Sequence, residues 1–198
     1  MQDDGQARFA ACVLPHLDAA YNLARWLVRD GHDAQDVVQD ALVRALRHFD
    51  GFRGGDPRPW LLAIVRNAAF AWLGSRRTGE VDFADHEHEL DAVLAMDAAP
   101  ADPESLAIRR AERQEIDAAI AALPIAFREA VVLRELEELS YRDIARITDV
   151  PIGTVMSRLS RARHLLAAAL RPEAARSLGS APAPPVALQS EGRRFPDE

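Results

Sequence analysis

Between Ile152 and Arg171 the chain has no acidic residue and four arginines, Arg158, Arg161, Arg163 and Arg171. In a protein of net charge −7, such a segment suits one kind of chemistry: contact with phosphates and base edges. A guanidinium presents forked donors that match phosphate oxygens or a guanine edge. The chain has no lysine, so its side-chain cations are arginines alone. Ser157 and Ser160 add hydroxyls able to bond several base edges. A solvated helix surface would use the same residue types, but this segment sits in a specific local pattern. Ser140 can cap a short helix, with Asp143 completing a capping box. Ile144 and Ile147 fall inward, Ala145 is small where two helices must cross, and Asp149-Val150-Pro151 forms a turn. Val155, Leu159, Ala162 and Leu166 then recur at helical spacing. This is a helix-turn-helix pattern, whose second helix enters the DNA major groove.

The charge distribution reconciles an acidic protein with a nucleic-acid contact. Residues 1–77 and 109–170 each carry 10 arginines and 9 acids, whereas residues 78–108 carry 9 acids and no base. A base-free acidic block reads as a solvated tether. Ala99-Pro100-Ala101-Asp102-Pro103 cannot continue a helix. The chain therefore divides into residues 1–77, an acidic linker 78–108, residues 109–171, and a Pro/Ala-rich tail 172–198 that reads as disordered. The linker is expected to be a mobile, protease-sensitive tether.

Strand signals are few, and the expected fold is all-α, with two small helical domains. The first helical region covers about Gln6–Arg29, interrupted at Pro15 and closed by Gly31. Asp33 is expected to cap the next helix, with Asp36 in a variant capping box. Ala34, Val37, Val38, Ala41, Ala45 and Phe49 form its buried stripe. Asp36, Gln39, Asp40, Arg44 and Arg47 fall on the opposite face, which by itself reads as an i,i+4 salt-bridged surface. A loop, Phe52 to Pro57, contains Gly54 and Gly55, which allow positive φ. Asp56 can cap the helix that follows, which carries Trp60, Ile64, Ala68 and Trp72 on one side and ends at Arg76-Arg77. Trp60 and Trp72 read as core anchors ahead of base-stacking platforms. Helices are further expected from about Pro103 to Ala122, from Pro124 to about Leu136, over 140–148 and over 152–170.

No enzyme is expected. A P-loop, a glycine-rich nucleotide fingerprint and a nucleophile–His pair are all lacking. His86-x-His88 lies beside Asp85 and Glu87, but a third and fourth ligand are not positioned, so no metal or other cofactor is expected. Without a run of about 18 apolar residues, membrane insertion is not expected. Met1 to Gly5 does not read as a signal peptide, and the lone Cys12 favours the cytoplasm and reads as a small core residue.

Leu123-Pro124, Arg128-Glu129-Ala130-Val131-Val132-Leu133-Arg134, Leu139-Ser140-Tyr141, Gly153-Thr154-Val155, Ser157-Arg158-Leu159 and Arg161-Ala162-Arg163 together resemble the DNA-binding domain four of ECF (extracytoplasmic function) sigma factors. Asp33-Ala34-Gln35-Asp36-Val37-Val38-Gln39-Asp40, Phe49 to Arg53, Trp60-Leu61 and Arg66-Asn67 resemble that family's domain two. The resemblance covers about residues 7–77 and 108–170. It implies a promoter-specificity subunit that binds core RNA polymerase, with phosphodiester chemistry left to the polymerase. Asp36, Gln39, Asp40, Arg44 and Arg47 would dock on the clamp helices of the beta-prime subunit, and domain four would meet the beta flap. Phe52, Arg53, Gly54, Gly55 and Asp56 would hold a flipped base of the minus-ten element, with Arg66, Asn67, Arg76 and Arg77 on nearby bases and phosphates. Such unpaired bases need a pocket and cationic backbone contacts.

At the minus-thirty-five element the resemblance implies Ser157, Ser160 and Arg161 near bases, Arg158 and Arg142 on phosphate or groove, and Thr154 and Met156 beside them. Met156 stands where many relatives carry a basic residue, and Asp149 where glycine is frequent; Asp tolerates left-handed backbone. The acidic linker would thread toward the polymerase active site and RNA exit path, and a helical anti-sigma factor would silence the protein. The competing readings are a decoy that sequesters an anti-sigma factor, and a helix-turn-helix repressor. The latter would need a dimer interface, for which the sequence offers no heptad.

Overall fold

Each amphipathic stretch folds as a helix, and the strongest breaks fall where the chain leaves αR geometry. The computed structural model describes residues 2–78 and 103–171, with side chains described for 5–76 and 106–171. Residues 79–102 and 172–198, and with them most of the expected tether, the expected tail and the His86/His88 pair, lie outside the described residues. Among the described residues the secondary structure is helical, without strands.

The first unit contains α1 (Gln2–Val13), α2 (Leu17–Val28), α3 (Gly31–Arg47) and α4 (Pro57–Thr78). Pro15 does split the first helical region: a single 3-10 turn, Leu14–His16, separates α1 from α2. The expected start of α3 is corrected. Its cap is Asp30, not Asp33: the Asp30 carboxylate accepts from the backbone N–H of His32 and of Asp33. Gly31 does not close the preceding helix; that role falls to Arg29 in left-handed geometry at φ 65°. Gly31 becomes the first residue of α3, where a Cβ would lie 3.3 Å from the Tyr21 hydroxyl. The core of this unit joins Leu23, Ala24 and Leu27 of α2, Ala34, Val37 and Ala41 of α3, and Leu61, Leu62 and Val65 of α4.

The second unit contains α5 (Pro103–Ala122), α6 (Ile125–Val131), α7 (Tyr141–Thr148) and α8 (Ile152–Ala169). The helix expected to run unbroken from Pro124 to Leu136 instead widens into a π-turn at Val132–Leu136. The Glu137 N–H donates to Val132 O at 3.0 Å, and Glu138 takes φ 51°. The helix-turn-helix forms, but the expected capping box is only half made: the Asp143 carboxylate accepts from the Ser140 hydroxyl and from Arg146 instead of from the Ser140 N–H. The Ser140 hydroxyl accepts from Asp143 N at 3.1 Å, and Asp149 ends α7 in left-handed geometry at φ 52°. Val155, Leu159 and Ala162 bury one face of α8 against α6.

The two units pack against each other. α4 lies along α7, and α2 touches α6 and the π-turn. Arg128 of α6, 6 % exposed, crosses this boundary and donates to the Trp26 carbonyl of α2 at 3.0 Å. Burial, with the nearby charge of Arg29, lowers its guanidinium pKa to about 10.

Candidate nucleic-acid interface

On α8 the inward line of Val155, Leu159 and Ala162 leaves Met156, Ser157, Ser160 and Arg161 exposed on the other side. The helical period makes this division unavoidable, since residues one or two positions from a buried line point outward. Ser157 donates to the Thr154 carbonyl at 2.9 Å, which fixes its hydroxyl on the helix surface. Thr154 itself is half-buried, and Arg142 of α7 is exposed beside the turn. Arg142, Ala145, Arg146, Val150 and Ile152 line a shallow depression there. Arg163 is paired with Glu135 at 2.8 Å. Thus Ser157, Ser160, Arg161 and Met156 share one open face.

Arg158 behaves differently. Its side chain is 23 % exposed, and Nη1 lies 3.8 Å from Oε2 of Glu129 on α6. Glu129 is 1 % exposed. Its other oxygen accepts from Arg66 Nε of α4 at 2.5 Å. One carboxylate therefore joins the arginine expected at the upstream element to one expected at the melted element. Burial pushes the Glu129 carboxyl above its ordinary value, against the opposing pull of Arg66 and Arg158.

On the first unit, Gly54 and Gly55 take φ 88° and 92°, and Arg53, Gly54, Gly55 and Asp56 form an exposed loop. Asp56 accepts from the Arg58 N–H at 3.0 Å, at the start of α4. Phe52 is half-buried and clusters with Phe49 and Trp60, its ring centroid 5.1 Å from that of Trp60. Asn67 is exposed, whereas Arg66 turns to Glu129 and stacks over Phe70 at 4.7 Å. Arg76 lies over the Trp72 ring at 4.2 Å and pairs with Asp33 at 3.1 Å. The side chain of Arg77 lies outside the described residues. Trp60 and Trp72 pack against the core, each partly exposed.

Asp36, Gln39, Asp40, Arg44 and Arg47 are all exposed on α3. Asp40 and Arg44 form an i,i+4 pair at 2.6 Å. Sequence reasoning passed over Val43, which sits among these polar residues 48 % exposed and makes the face amphipathic. It also gave no individual role to Glu129, Glu137, Arg58 or Arg128. Glu129 carried a legible signal: it shares a helical phase with Val132 and Leu133, an acid on an apolar stripe.

Among the described residues no helix is long and apolar enough to cross a membrane. No group of three His, Cys, Asp or Glu side chains there could hold a metal. The Sigma-70 region 2 model matches residues 12–78, and the Sigma-70 region 4 model matches residues 113–166. The chain is 32% identical to the RNA polymerase sigma-H factor of Pseudomonas aeruginosa, over 87% of this chain and 91% of that protein. It is 35% identical to the ECF RNA polymerase sigma-E factor of Escherichia coli, over 84% of this chain and 88% of that one. Among solved structures it is similar to the sigma factor RpoE of Bartonella quintana, in complex with the anti-sigma factor NepR. That match has a TM-score of 0.61 and 27% identity, and covers 86% of this chain and 98% of that one. With both helical units matched in order along one chain, the protein belongs to the ECF class of RNA polymerase sigma factors, the sigma-70 family's transcription initiation factors.

Proposed function

We propose that this sigma factor places core RNA polymerase at promoters through three surfaces, one for polymerase and two for DNA. The observation that carries the reading is the open face of α8. Ser157, Ser160 and Arg161 stand exposed on the second helix of a helix-turn-helix, in a segment without a negative charge. Arg161 and the serines read bases of the minus-thirty-five element, and Met156 offers an apolar contact for a thymine methyl. Arg142 and Arg158 hold phosphate, and Thr154 sits beside them. At the minus-ten element the loop Phe52 to Asp56 receives a flipped base, and Arg66, Asn67, Arg76 and Arg77 hold the surrounding strand. Asp36, Gln39, Asp40, Arg44 and Arg47 dock on the beta-prime clamp helices, and the second unit meets the beta flap. An anti-sigma factor covers these surfaces when the protein is silent; the similar Bartonella protein was solved with such a partner. The protein works in the cytoplasm, as a specificity subunit without catalytic residues of its own.

Co-purification with core polymerase, followed by sequencing of the DNA retained by the complex, tests this reading. A shared sequence with two elements at fixed spacing is the expected result. Capture of an anti-sigma factor with neither polymerase nor DNA would favour a decoy role instead.

A further inference from the structure

Three arginines at or beside the proposed DNA surfaces are held by two carboxylates of the second unit. Arg66 donates to Glu129, whose second oxygen faces Arg158. Arg58, at the start of α4, donates to Glu137, and the other Glu137 oxygen accepts from Asn22 Nδ2 of α2 at 2.6 Å. Glu129 and Glu137 are 1 % and 4 % exposed, so water is largely shut out of both contacts. The π-turn that separates them turns Glu137 inward toward α2 and α4. Arginine donors on paired carboxylate oxygens make the same charge-assisted bonds as arginines on phosphate.

A geometric argument points the same way. Elements at minus ten and minus thirty-five are separated by about 25 base pairs, on the order of 85 Å along the duplex. Yet α4, which carries the melting residues, lies directly along α7 of the helix-turn-helix. A chain closed in this way cannot occupy both elements at once.

We infer that the free chain has a closed, autoinhibited state in which Glu129 and Glu137 stand in for DNA phosphates on Arg66 and Arg58 of the first unit, the Glu129–Arg158 contact lying within the second. Polymerase and promoter open it by separating the units and replacing the carboxylates with phosphate. The inference rests on the two-element reading of the protein. Ser157, Ser160, Arg161 and Asn67 are exposed in the closed arrangement. The latch therefore does not hide the base readers; it withdraws anchoring arginines and forbids simultaneous use of the two surfaces.

The test uses the full-length chain, in a Cys12→Ala background, with spin labels at two exposed positions on different units, Gln35 and Ala168. Electron–electron distance measurements on the free protein should give one short, narrow distribution, moving to longer distances when core polymerase is added. Arg58→Glu and Glu137→Arg should each give longer, broader distances, and the Arg58→Glu/Glu137→Arg double variant should return to the short one. A broad distribution already in the unsubstituted chain, single variants that do not open, or a double variant that stays open would overturn the latch. In parallel, a fluorescent single strand carrying the minus-ten sequence should bind Glu129→Gln/Glu137→Gln about five-fold more tightly or better. Equal affinity would overturn the masking of DNA contacts. Promoter-dependent transcription by unsubstituted chain and core polymerase separates the two ideas. Transcripts from a chain that is never closed overturn the latch alone, whereas a closed chain that never supports transcription overturns the sigma reading.

Discussion

Glu129 of α6 and Arg66 of α4 lie 63 positions apart in sequence and form an ion pair of 2.5 Å around a carboxylate only 1 % exposed. Removing a carboxylate from water is costly, and the cost is recovered only when its oxygens are occupied by well-placed donors. Here the donors come from both units: Arg66 from the first and, more distantly, Arg158 from the second. Arg66, a residue expected to hold DNA, thus ties the two units together, while Arg158 braces Glu129 from within its own unit.

The buried carboxyl gives a pH dependence with a defined sign. Burial raises the Glu129 pKa, and the two arginines only oppose that shift. A carboxyl raised in the folded state contributes stability below its unfolded value, and the contribution is lost as pH rises through the folded value. From about pH 4 toward neutrality, the stability of the unsubstituted chain should therefore fall relative to Glu129→Gln, which has no proton to lose. Thermal unfolding of both across a pH series checks this; parallel curves would mean that Arg66 and Arg158 offset the effect of burial in full.

Asp30→Ala should destabilise the fold by about 1 kcal/mol, because it removes the acceptor for two N–H groups at the start of α3. Chemical denaturation measures this directly. A loss within about 0.5 kcal/mol, the range of an ordinary surface change, would show that the helix end does not depend on Asp30.

Asp40→Arg should weaken binding to core polymerase while leaving the helices intact. The Asp40–Arg44 pair is about half exposed on both sides, so its loss costs about 0.5 kcal/mol or less. Pull-down with core polymerase, alongside circular dichroism, is the measurement. Normal polymerase affinity with an unchanged spectrum would move the docking face elsewhere.

The two arginines of α8 should separate in function. Arg161 is open to solvent, and a bidentate arginine–base pair is worth about 1–3 kcal/mol of discrimination. Arg161→Ala should flatten preference at one or two positions of the upstream element. Arg158→Ala should instead weaken all sequences alike and lower the salt slope by about 1. Competition binding over single-base promoter variants at several salt concentrations distinguishes them. Uniform loss in both variants would contradict the division into base reader and phosphate anchor.

The helix-turn-helix was legible because its causes are local: a capping hydroxyl at Ser140, a residue tolerant of left-handed geometry at Asp149, and the apolar line Val155–Leu159–Ala162. The start of α3 was misread because Asp30 and Asp33 both fit a cap and Gly31 looks like a helix end. Arg29 ends α2 in left-handed geometry and leaves Asp30 extended, so Asp30 is the residue whose carboxylate reaches the His32 and Asp33 N–H groups. The exposed members of the candidate surfaces followed from helical phase. The pairing of Arg66 with Glu129 and of Arg58 with Glu137 did not, since the partners are 63 and 79 positions apart and meet only when the two units pack. No spacing rule links them; the π-turn that helps place Glu137 likewise has no simple signature in the apolar run.

Run-off transcription with core polymerase tests most directly whether the open face of α8 selects promoters. Template would be DNA recovered with the complex, transcribed with no sigma factor, with the unsubstituted chain and with Arg161→Ala. The expected result is a discrete transcript that requires the chain and falls by about ten-fold with Arg161→Ala, in keeping with the loss of one base contact. Failure of the unsubstituted chain to support any transcript while bound to polymerase, or equal transcription by Arg161→Ala from every template, would contradict it.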